Sequence, residues 1–410
     1  MSGFLSKVKE TLKDPRFGSK EERRLFKTGF DVIDTLGARV DTSGITYGFY
    51  SPGLIGFIGK SGTAKSTVIL QTAWNVCQKY EDSSIIWLDY ENSMSKERIK
   101  MFTGVDINDD DNPSPKFEYK NVGISIESAF DLVSSFRDQK VEYFSDPKNL
   151  VENKEGIIDP KTGKPLKIIP PTFIVIDSIR AMTSERLSLS QDDGSMVENN
   201  MFAAQIALKI GQFARHCMQA CAEANIIIPY VNHIQTAINT GYTPKPKYLN
   251  YLKQDESLGG GDQLTYYTTT MVKLIAKSNL TPDDTKGNPF RVKGFDLEMF
   301  LVKSRDNVAG QGIELVFDQT NGFDNDICLF KYLDSRGVIK SAGAYKKLDG
   351  YDKNFRAGDF KKLMATDEEF RIAFTKAAKR ALDERVRVPD KYLSIVNGNE
   401  VISNVKQIEE

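Results

Sequence analysis

The most informative stretch of the sequence is GLIGFIGKSGTAKSTVILQTAW, residues 53–74. An apolar run leads into glycines, a lysine and hydroxyl side chains, and an amphipathic segment follows. This order is typical of a phosphate-binding loop between a strand and a helix, where backbone N–H groups cradle phosphates, a lysine reaches the outer phosphates and a hydroxyl ligates magnesium. Ala64, however, occupies the position before the lysine, where glycine is usual.

The segment after the loop predicts a helix with one apolar face, formed by Val68, Ile69, Thr72, Ala73, Val76, Cys77 and Tyr80. A Cβ at position 64 is costly only if the backbone there must be left-handed or if the methyl group meets a phosphate or a packed neighbour. The alternative is an ordinary strand-to-helix turn with an incidental lysine. The predicted ATP-binding residues are Gly59, Lys60, Ser61, Gly62, Thr63, Ala64, Lys65, Ser66 and Thr67.

Composition limits the classes of protein to be considered. The 55 Lys and Arg residues nearly balance the 56 Asp and Glu residues, so the chain of 410 residues has no bulk attraction for nucleic acid or membrane. A polyanion must then be bound by a local patch. Four scattered cysteines argue against a disulfide framework, and there is no signal-peptide or membrane-span pattern. We expect a soluble, cytoplasmic protein.

Apolar runs alternate with helical patterns from about residue 29 to residue 318, which predicts an α/β fold with a mostly parallel twisted sheet and helices on both faces. The predicted strands are LIGFI, SIIWLD, TFIVID, NIIIPYVN, MVKLIAK and FDLEMFLVKS. We divide the chain into an N-terminal arm (1–28), a core (29–330) and a mostly helical C-terminal domain (331–410). A stretch rich in proline and glycine (145–171) predicts a surface insertion.

Two carboxylates follow predicted strands. Asp177 ends TFIVID, where it could hold magnesium at the carboxyl edge of the sheet, although strands ending in aspartate are common. Glu91 follows IIWLD, where it could orient or deprotonate an attacking water. The alternative for Glu91 is a solvated carboxylate or a helix cap.

The motifs GFIGKSGTAKST, IIWLDYEN, FIVIDSIRAM, IPYVNHIQ, LGGGDQ and MFLVKSRDN occur in this order. The ordered set resembles the RecA family of strand-exchange recombinases and, within it, the bacteriophage UvsX-type members. The resemblance implies a RecA-type P-loop ATPase core with ATP and Mg²⁺ as cofactors. It also implies a DNA-dependent ATPase that forms helical filaments on single-stranded DNA and exchanges strands with homologous duplex DNA in recombination, repair and recombination-dependent replication. UvsX-type proteins also depart from glycine before the lysine, so Ala64 is expected to be tolerated.

The resemblance also implies partners and residue roles. Loading or mediator proteins, single-strand-binding proteins and neighbouring subunits are the expected partners, with the N-terminal arm serving polymerisation. The implied roles are phosphate and magnesium binding for Lys65 and Ser66, completion of the magnesium site for Asp177, the general base for Glu91, γ-phosphate sensing for Asn232 and His233, and an interaction in trans with the neighbour's ATP for Lys303 and Arg305. RecA itself has glutamine at the position of His233 and lysine at that of Arg305. Without the family, His233 is a hydrogen-bonded residue at a strand end, and Lys303 with Arg305 is a solvated pair.

Two segments match the DNA-binding loops of the family, residues 185–198 and 235–263. The predicted DNA-binding residues are Arg186, Lys245, Lys247, Lys253, Gly259, Gly260 and Gly261. Basic residues with tyrosines such as Tyr251 suit phosphate contacts and base stacking in the second loop. The first loop is net acidic, which argues against direct phosphate binding, and the alternative there is an ordinary surface loop.

Alternatives remain at the level of the whole protein. A hexameric replicative DNA helicase or a DNA-independent regulatory ATPase can use the same core. Cys217 and Cys221 beside His216 could suggest a metal site, but the apolar helix around them favours core packing. The C-terminal lysines either capture duplex DNA or form solvated helix faces.

Overall fold

The computed structural model describes residues 24–41, 44–107, 114–159, 161–185, 200–236, 251–253, 255–280 and 292–386. The strands are β1 (Arg39–Asp41), β2 (Gly44–Thr46), β3 (Gly53–Gly59), β4 (Ser84–Asp89), β5 (Phe117–Lys120), β6 (Val151–Glu152), β7 (Lys167–Ile168), β8 (Thr172–Asp177), β9 (Ile226–Thr236), β10 (Glu256–Leu258), β11 (Thr270–Leu280), β12 (Gly294–Ser304), β13 (Gly312–Asp318), β14 (Gly322–Phe323), β15 (Ile339–Ala342) and β16 (Tyr345–Leu348). The α-helices are α1 (Asp31–Asp34), α2 (Lys65–Cys77), α3 (Lys96–Thr103), α4 (Ile126–Tyr143), α5 (Asn200–Ala224), α6 (Gly261–Tyr267), α7 (Asn325–Ser335), α8 (Phe360–Thr366) and α9 (Glu368–Asp383). Short 3₁₀ helices cover Ile179–Ala181 and Ala357–Asp359.

A ten-stranded sheet organises the molecule, in the order β14-β13-β12-β11-β3-β9-β8-β4-β5, with β10 paired to β9. The strands from β11 to β5 along this order are mutually parallel. Strands β11 to β14 pair antiparallel, as do β9 and β10. The protein is therefore an α/β protein with a large mixed, mostly parallel sheet flanked by helices.

The core covers both faces of the parallel strands. In β8, Phe173 and Val175 belong to the hydrophobic cluster on one face, and Ile174 and Ile176 belong to the cluster on the other. All four side chains are fully buried. This alternation explains why the central strands are apolar at nearly every position, since helices cover both faces of the sheet.

The six strands predicted from apolar runs are all present. The predicted mostly parallel character is confirmed for the half of the sheet from β11 to β5, while β12 to β14 add an antiparallel half. Every residue predicted on the apolar face of the helix after the loop is buried. The stretch 145–171 forms turns and the small β6–β7 hairpin, which fits the predicted insertion.

The C-terminal part contains a hairpin that the sequence interpretation omitted. Strands β15 and β16 pair antiparallel between α7 and the following helices. Helices α7 and α9 bury Leu333, Phe370 and Phe374 in the same hydrophobic cluster that covers one face of the sheet. Within the described ranges, no helix combines the length and apolar character required to cross a bilayer.

Candidate nucleotide-binding site

The predicted site residues meet at the carboxyl edge of the parallel strands. The register pairs Asp89 of β4 with Asp177 of β8, and Gly59 of β3 with His233 of β9. Because parallel strands end at the same edge, side chains far apart in the sequence become neighbours here. A cleft of about 540 Å³ opens at this edge and is lined by residues 61–67, Glu91, Ser93, Met94, Arg98, Asp177, Val231, His233, Phe295, Phe317 and Gln319.

The loop between β3 and α2 has the tight geometry that its glycines predict. A Cβ on Gly59 would lie 2.6 Å from the carbonyl oxygen of Leu274, so no side chain fits there. Ala64 caps α2 with φ 56° and ψ 25°, in the left-handed region. An L-residue in this region costs about 1–2 kcal/mol relative to glycine. Ala64 is therefore accommodated with backbone strain, which is one of the two costs considered from the sequence.

Lys65 is the first residue of α2, and its side chain folds back onto the loop. Its Nζ donates to the carbonyl oxygens of Lys60 at 2.7 Å and Gly59 at 3.3 Å, and the residue is only 5% exposed. Burial lowers the pKa of Lys65 to about 8, although Asp177 and Glu91 act to raise it. The ammonium group is thus held by neutral acceptors at the mouth of the loop, where an anion can replace them.

Asp177 is a buried carboxylate with an unsatisfied oxygen. Its side chain is 1% exposed, and Oδ2 has no hydrogen-bond partner among the described residues. Burial raises the pKa of Asp177 to about 7, a hydrogen bond from Ser66 opposes this, and the neighbouring Asp89 and Glu91 raise the pKa further. A cation at this point would remove the cost of burying the charge.

Glu91 contacts residues at the ends of β8 and β9. Ser178, which follows Asp177, donates a hydrogen bond to Oε1 of Glu91, and Nε2 of His233 lies 3.4 Å from the same oxygen. Burial and then the charge of Lys65 lower the pKa of His233, which favours the neutral form of its imidazole. The carboxylate of Glu91 therefore lies beside the cleft with one neutral hydroxyl and one neutral ring as neighbours.

Asp89 fixes the segment that carries Glu91, a role that the sequence interpretation missed. Its carboxylate accepts the backbone N–H groups of Glu91 and Ser93 at 3.2 Å each and of Met94 at 2.9 Å. The hydroxyl of Tyr119 donates to the same carboxylate at 2.8 Å. The signal available in the sequence was the aspartate at the end of β4, which the interpretation passed over in favour of Glu91.

The far wall of the cleft was also missed. Nη2 of Arg98 donates to Oγ1 of Thr67 at 3.1 Å, and its guanidinium lies 5.9 Å from the ring centre of Phe317. Phe295 and Phe317 reach this wall from the antiparallel strands β12 and β13. A flat guanidinium and aromatic rings suit a planar heterocycle.

The side chains that line the cleft fit a nucleoside triphosphate with magnesium. Lys65 supplies a cation held only by loop carbonyls, and Oδ2 of Asp177 is a buried acceptor with no partner. Lys65 would contact the outer phosphates, while Ser66 and Asp177 would hold Mg²⁺ directly or through water. The ion, when bound, would neutralise charge on the phosphate oxygens.

Asn232 lies between the cleft residues Val231 and His233 on β9 and contacts the glycine-rich segment at 259–261. Its Nδ2 donates to the carbonyl oxygen of Gly259 at 2.9 Å, and its Oδ1 is buried without a donor among the described residues. Strand β10 pairs with the end of β9, so the segment preceding Gly259 is held beside Ile234 and Gln235. Asn232 of the predicted sensor pair is thus in direct contact with part of the predicted second DNA loop.

Lys303 and Arg305 lie together but outside the cleft lining. Nζ of Lys303 donates to the carbonyl oxygens of Thr265 and Tyr266, the latter at 2.9 Å, and Nη2 of Arg305 donates to that of Tyr266 at 2.6 Å. Burial, followed by the charge of Arg305, lowers the pKa of Lys303 to about 8. Both cations cap the carboxyl end of α6, where the helix dipole favours positive charge.

Other predictions have mixed outcomes. Arg186, Lys245 and Lys247 lie outside the described residues. The exposed Lys253 donates its backbone N–H to Glu256, and the ring of Tyr251 packs edge-on against Phe300 at 5.7 Å. Tyr251 is nevertheless exposed, so part of the ring considered for base stacking stays at the surface.

The alternative metal site is not supported. Cys217 and Cys221 are fully buried in the core, and His216 stacks on Phe130 with a ring separation of 4.0 Å. Among the described residues, no group of three or more His, Cys, Asp or Glu side chains could hold a metal ion. Two of the C-terminal lysines form ion pairs, Lys346 with Asp334 and Lys361 with Asp324, which favours solvated helix and hairpin surfaces at these two positions.

Neither the protein-family models nor the curated proteins compared with this chain give a match. The RecA resemblance therefore stays a prediction from the ordered motifs.

Proposed function

We propose that this protein is an ATP-dependent DNA recombinase of the RecA type, which forms helical filaments on single-stranded DNA and pairs that strand with a homologous duplex. One observation carries the proposal. The ends of β4 and β9 bring Glu91 and His233 together, and Asn232, next to His233 on β9, donates a hydrogen bond to the glycine-rich segment that resembles a DNA-binding loop. Adjacent residues at the end of β9 then contact the proposed nucleotide cleft, through His233, and the candidate DNA-binding segment, through Asn232.

The hydrolytic chemistry follows from the residues of the cleft. Lys65 would bind the outer phosphates, and Glu91 would accept a proton from the attacking water. Ser178 and His233 keep one oxygen of Glu91 engaged, so the other oxygen would be the base. The neutral ring of His233 can donate one hydrogen bond and accept another, which suits a residue that responds to a phosphate oxygen.

Coupling to DNA would run through Asn232. A change at the γ-phosphate position that moves His233 also moves Asn232, because the two are adjacent on β9. Asn232 would transmit this movement to Gly259 through its hydrogen bond. ATP would then favour the DNA-binding arrangement of the glycine segment, and hydrolysis would release it.

The basic pair supports assembly in a filament. Lys303 and Arg305 lie outside the cleft lining of their own subunit, so a role at an ATP site places them at that of a neighbour. A cation supplied in trans stabilises charge on the transferred phosphoryl group.

The proposal is tested by measuring ATP hydrolysis with and without single-stranded DNA. Stimulation by single-stranded DNA is expected. Hydrolysis that is indifferent to DNA would contradict the proposal and favour a regulatory ATPase. Stimulation combined with duplex unwinding by closed rings would favour a hexameric helicase.

A further inference from the structure

A cation outside the predicted DNA loops lies against the Asn232–Gly259 contact. Arg180 is the middle residue of the 3₁₀ helix Ile179–Ala181, directly after the end of β8. Ile179 and Met182 on either side of the turn are almost fully buried, whereas Arg180 is exposed. The turn is therefore anchored through its apolar residues, and Arg180 is held at the surface at a fixed position.

The aliphatic stem of Arg180 covers Gly259. A Cβ on Gly259 would lie 3.1 Å from Cγ of Arg180 and 3.4 Å from Oδ1 of Asn232. The missing side chain of Gly259 thus makes room for the arginine stem. Since Asn232 also donates a hydrogen bond to the carbonyl oxygen of Gly259, the arginine, the glycine backbone and the amide form one packed unit.

The charge of Arg180 is not neutralised by its surroundings. Among the described residues, no carboxylate is within ion-pair distance of Arg180; the nearby Glu91 is engaged by Ser178 and His233. Arg180 does not line the nucleotide cleft either. An exposed guanidinium with a fixed stem and no counter-ion is suited to bidentate binding of phosphate oxygens.

We propose that Arg180 binds a backbone phosphate of single-stranded nucleic acid, beside the glycine segment at 259–261. This inference rests on the proposed function. The packed unit gives it a further consequence: Asn232, which is next to the cleft residue His233 on β9, would set the position of the phosphate contact. Arg180 would then carry part of the nucleotide dependence of DNA binding.

The test is the salt dependence of binding to fluorescent oligo(dT), measured by anisotropy with a non-hydrolysable ATP analogue. The variants are Arg180→Gln, Arg180→Lys and, as a matched control, Arg371→Gln, which removes an exposed arginine from α9. For Arg180→Gln we expect weaker binding and a plot of log affinity against log salt that is shallower by about 0.7 per subunit, the value for one phosphate contact to a single strand. Arg180→Lys should keep most of the slope, and Arg371→Gln should keep all of it.

A second measurement shows whether Arg180 binds a phosphate of the DNA backbone or a phosphate of the bound nucleotide. Binding of a fluorescent ADP analogue without DNA should be the same for wild type and Arg180→Gln. Equal salt slopes for wild type and Arg180→Gln would overturn the inference while leaving the proposed function standing. A loss of nucleotide affinity matching the loss of DNA affinity would also overturn it, because the cation would then serve the nucleotide. Absence of DNA binding by the wild type would overturn the proposed function itself.

Discussion

The candidate site residues of the parallel and antiparallel halves of the sheet differ in whether their polar atoms have hydrogen-bond partners within the chain. In the parallel half, Oδ2 of Asp177 and Oδ1 of Asn232 are buried without partners among the described residues. In the antiparallel half, Lys303 and Arg305 are satisfied by carbonyl groups of α6. The first arrangement leaves acceptors for a ligand, whereas the second already has its partners within the chain.

This difference indicates which set of residues can bind a ligand within one subunit and which set needs a neighbouring subunit. Buried unpaired polar groups are costly, so a site that retains them gains when a ligand binds. The basic pair gains less from a ligand, because an incoming phosphate must replace the carbonyls of α6. We therefore expect the cleft to bind nucleotide in the isolated subunit and the basic pair to act only when a neighbour brings a strong anion.

The largest expected effect comes from Arg305→Ala. The rate of ATP hydrolysis in assemblies should fall by about 10³-fold or more, the range for an arginine finger supplied by a neighbouring subunit. Nucleotide binding by the isolated subunit should stay unchanged. Steady-state hydrolysis and binding of a fluorescent nucleotide measure the two quantities. The exposed Arg371 provides the control, since Arg371→Gln should leave both unchanged.

Mixing subunits separates a role in trans from a role in cis. Arg305→Ala subunits keep an intact cleft, and Lys65→Ala subunits keep an intact basic pair. If the pair acts in trans, a mixture of the two variants should recover hydrolysis that neither has alone. A mixture as inactive as its components would place the basic pair at the cleft of its own subunit.

Glu91→Gln should reduce hydrolysis by about 10²- to 10⁴-fold, the contribution of a positioned general base. ATP binding should survive, because the carboxylate contacts neither Lys65 nor the loop. Single-turnover hydrolysis measures the effect, and Glu97→Gln, a substitution of an exposed carboxylate on α3, is the control. Near-normal hydrolysis by Glu91→Gln would assign the base to another group.

Lys65→Ala should weaken ATP binding by about 10- to 100-fold, the value of a charge-assisted hydrogen bond to the phosphates. Titration calorimetry in the absence of DNA measures this, with Lys362→Ala on α8 as an exposed control. An unchanged affinity would mean that the loop does not cradle phosphates, and the distinction between the two halves of the sheet would lose its basis.

Lys140 provides a third case, a buried cation satisfied by neutral groups of its own chain. Its Nζ donates to the carbonyl oxygen of Pro170 at 2.7 Å and to Oγ1 of Thr172 at 2.8 Å. Burial lowers the pKa of Lys140 from 10.5 to about 7. Between these values the unfolded chain binds more protons than the folded one, so the free energy of unfolding should rise with pH.

Urea unfolding at several pH values between 7 and 10 measures this rise, whose contribution from one lysine approaches about 1.4 kcal/mol per pH unit. Lys140→Met should remove that contribution, whereas Lys148→Met, at an exposed position, should retain it. Equal pH slopes for wild type and Lys140→Met would show that the ammonium is solvated in the folded protein.

The smallest effect concerns the strained loop. Ala64→Gly should raise the free energy of unfolding by about 1 kcal/mol, because glycine adopts the left-handed backbone without the Cβ penalty. Ala204→Gly is the matched control: it places the same change on the exposed face of α5, where it should lower stability by about 1 kcal/mol. Changes of the same sign at both positions would argue that the backbone at Ala64 is unstrained.

The sequence predicted what local patterns determine. The central strands follow from continuous apolar runs, and α2 follows from the spacing of its buried face. The β15–β16 hairpin was missed because its strands carry lysines and exposed residues, so the apolar signal is weak. The left-handed backbone at Ala64 could not be read from the residue type, since alanine rarely adopts it.

The sequence predicted several residues that the structure brings together at the sheet edge, but only some of their contacts. Lys65, Asp177, Glu91 and His233 were recognised from strand ends and motif order. Ser178, Asp89 and Arg98 act through contacts between separate strands and helices, which single-sequence patterns do not encode. The capping of α6 by Lys303 and Arg305 was missed for the same reason, because it depends on how β12 packs beside α6.

Negative-stain electron microscopy can show whether the protein assembles on single-stranded DNA, as we propose. The protein is imaged with a non-hydrolysable ATP analogue, with and without single-stranded DNA. We predict continuous helical filaments whose length follows that of the DNA. Closed rings, or single particles unchanged by DNA, would contradict the claim.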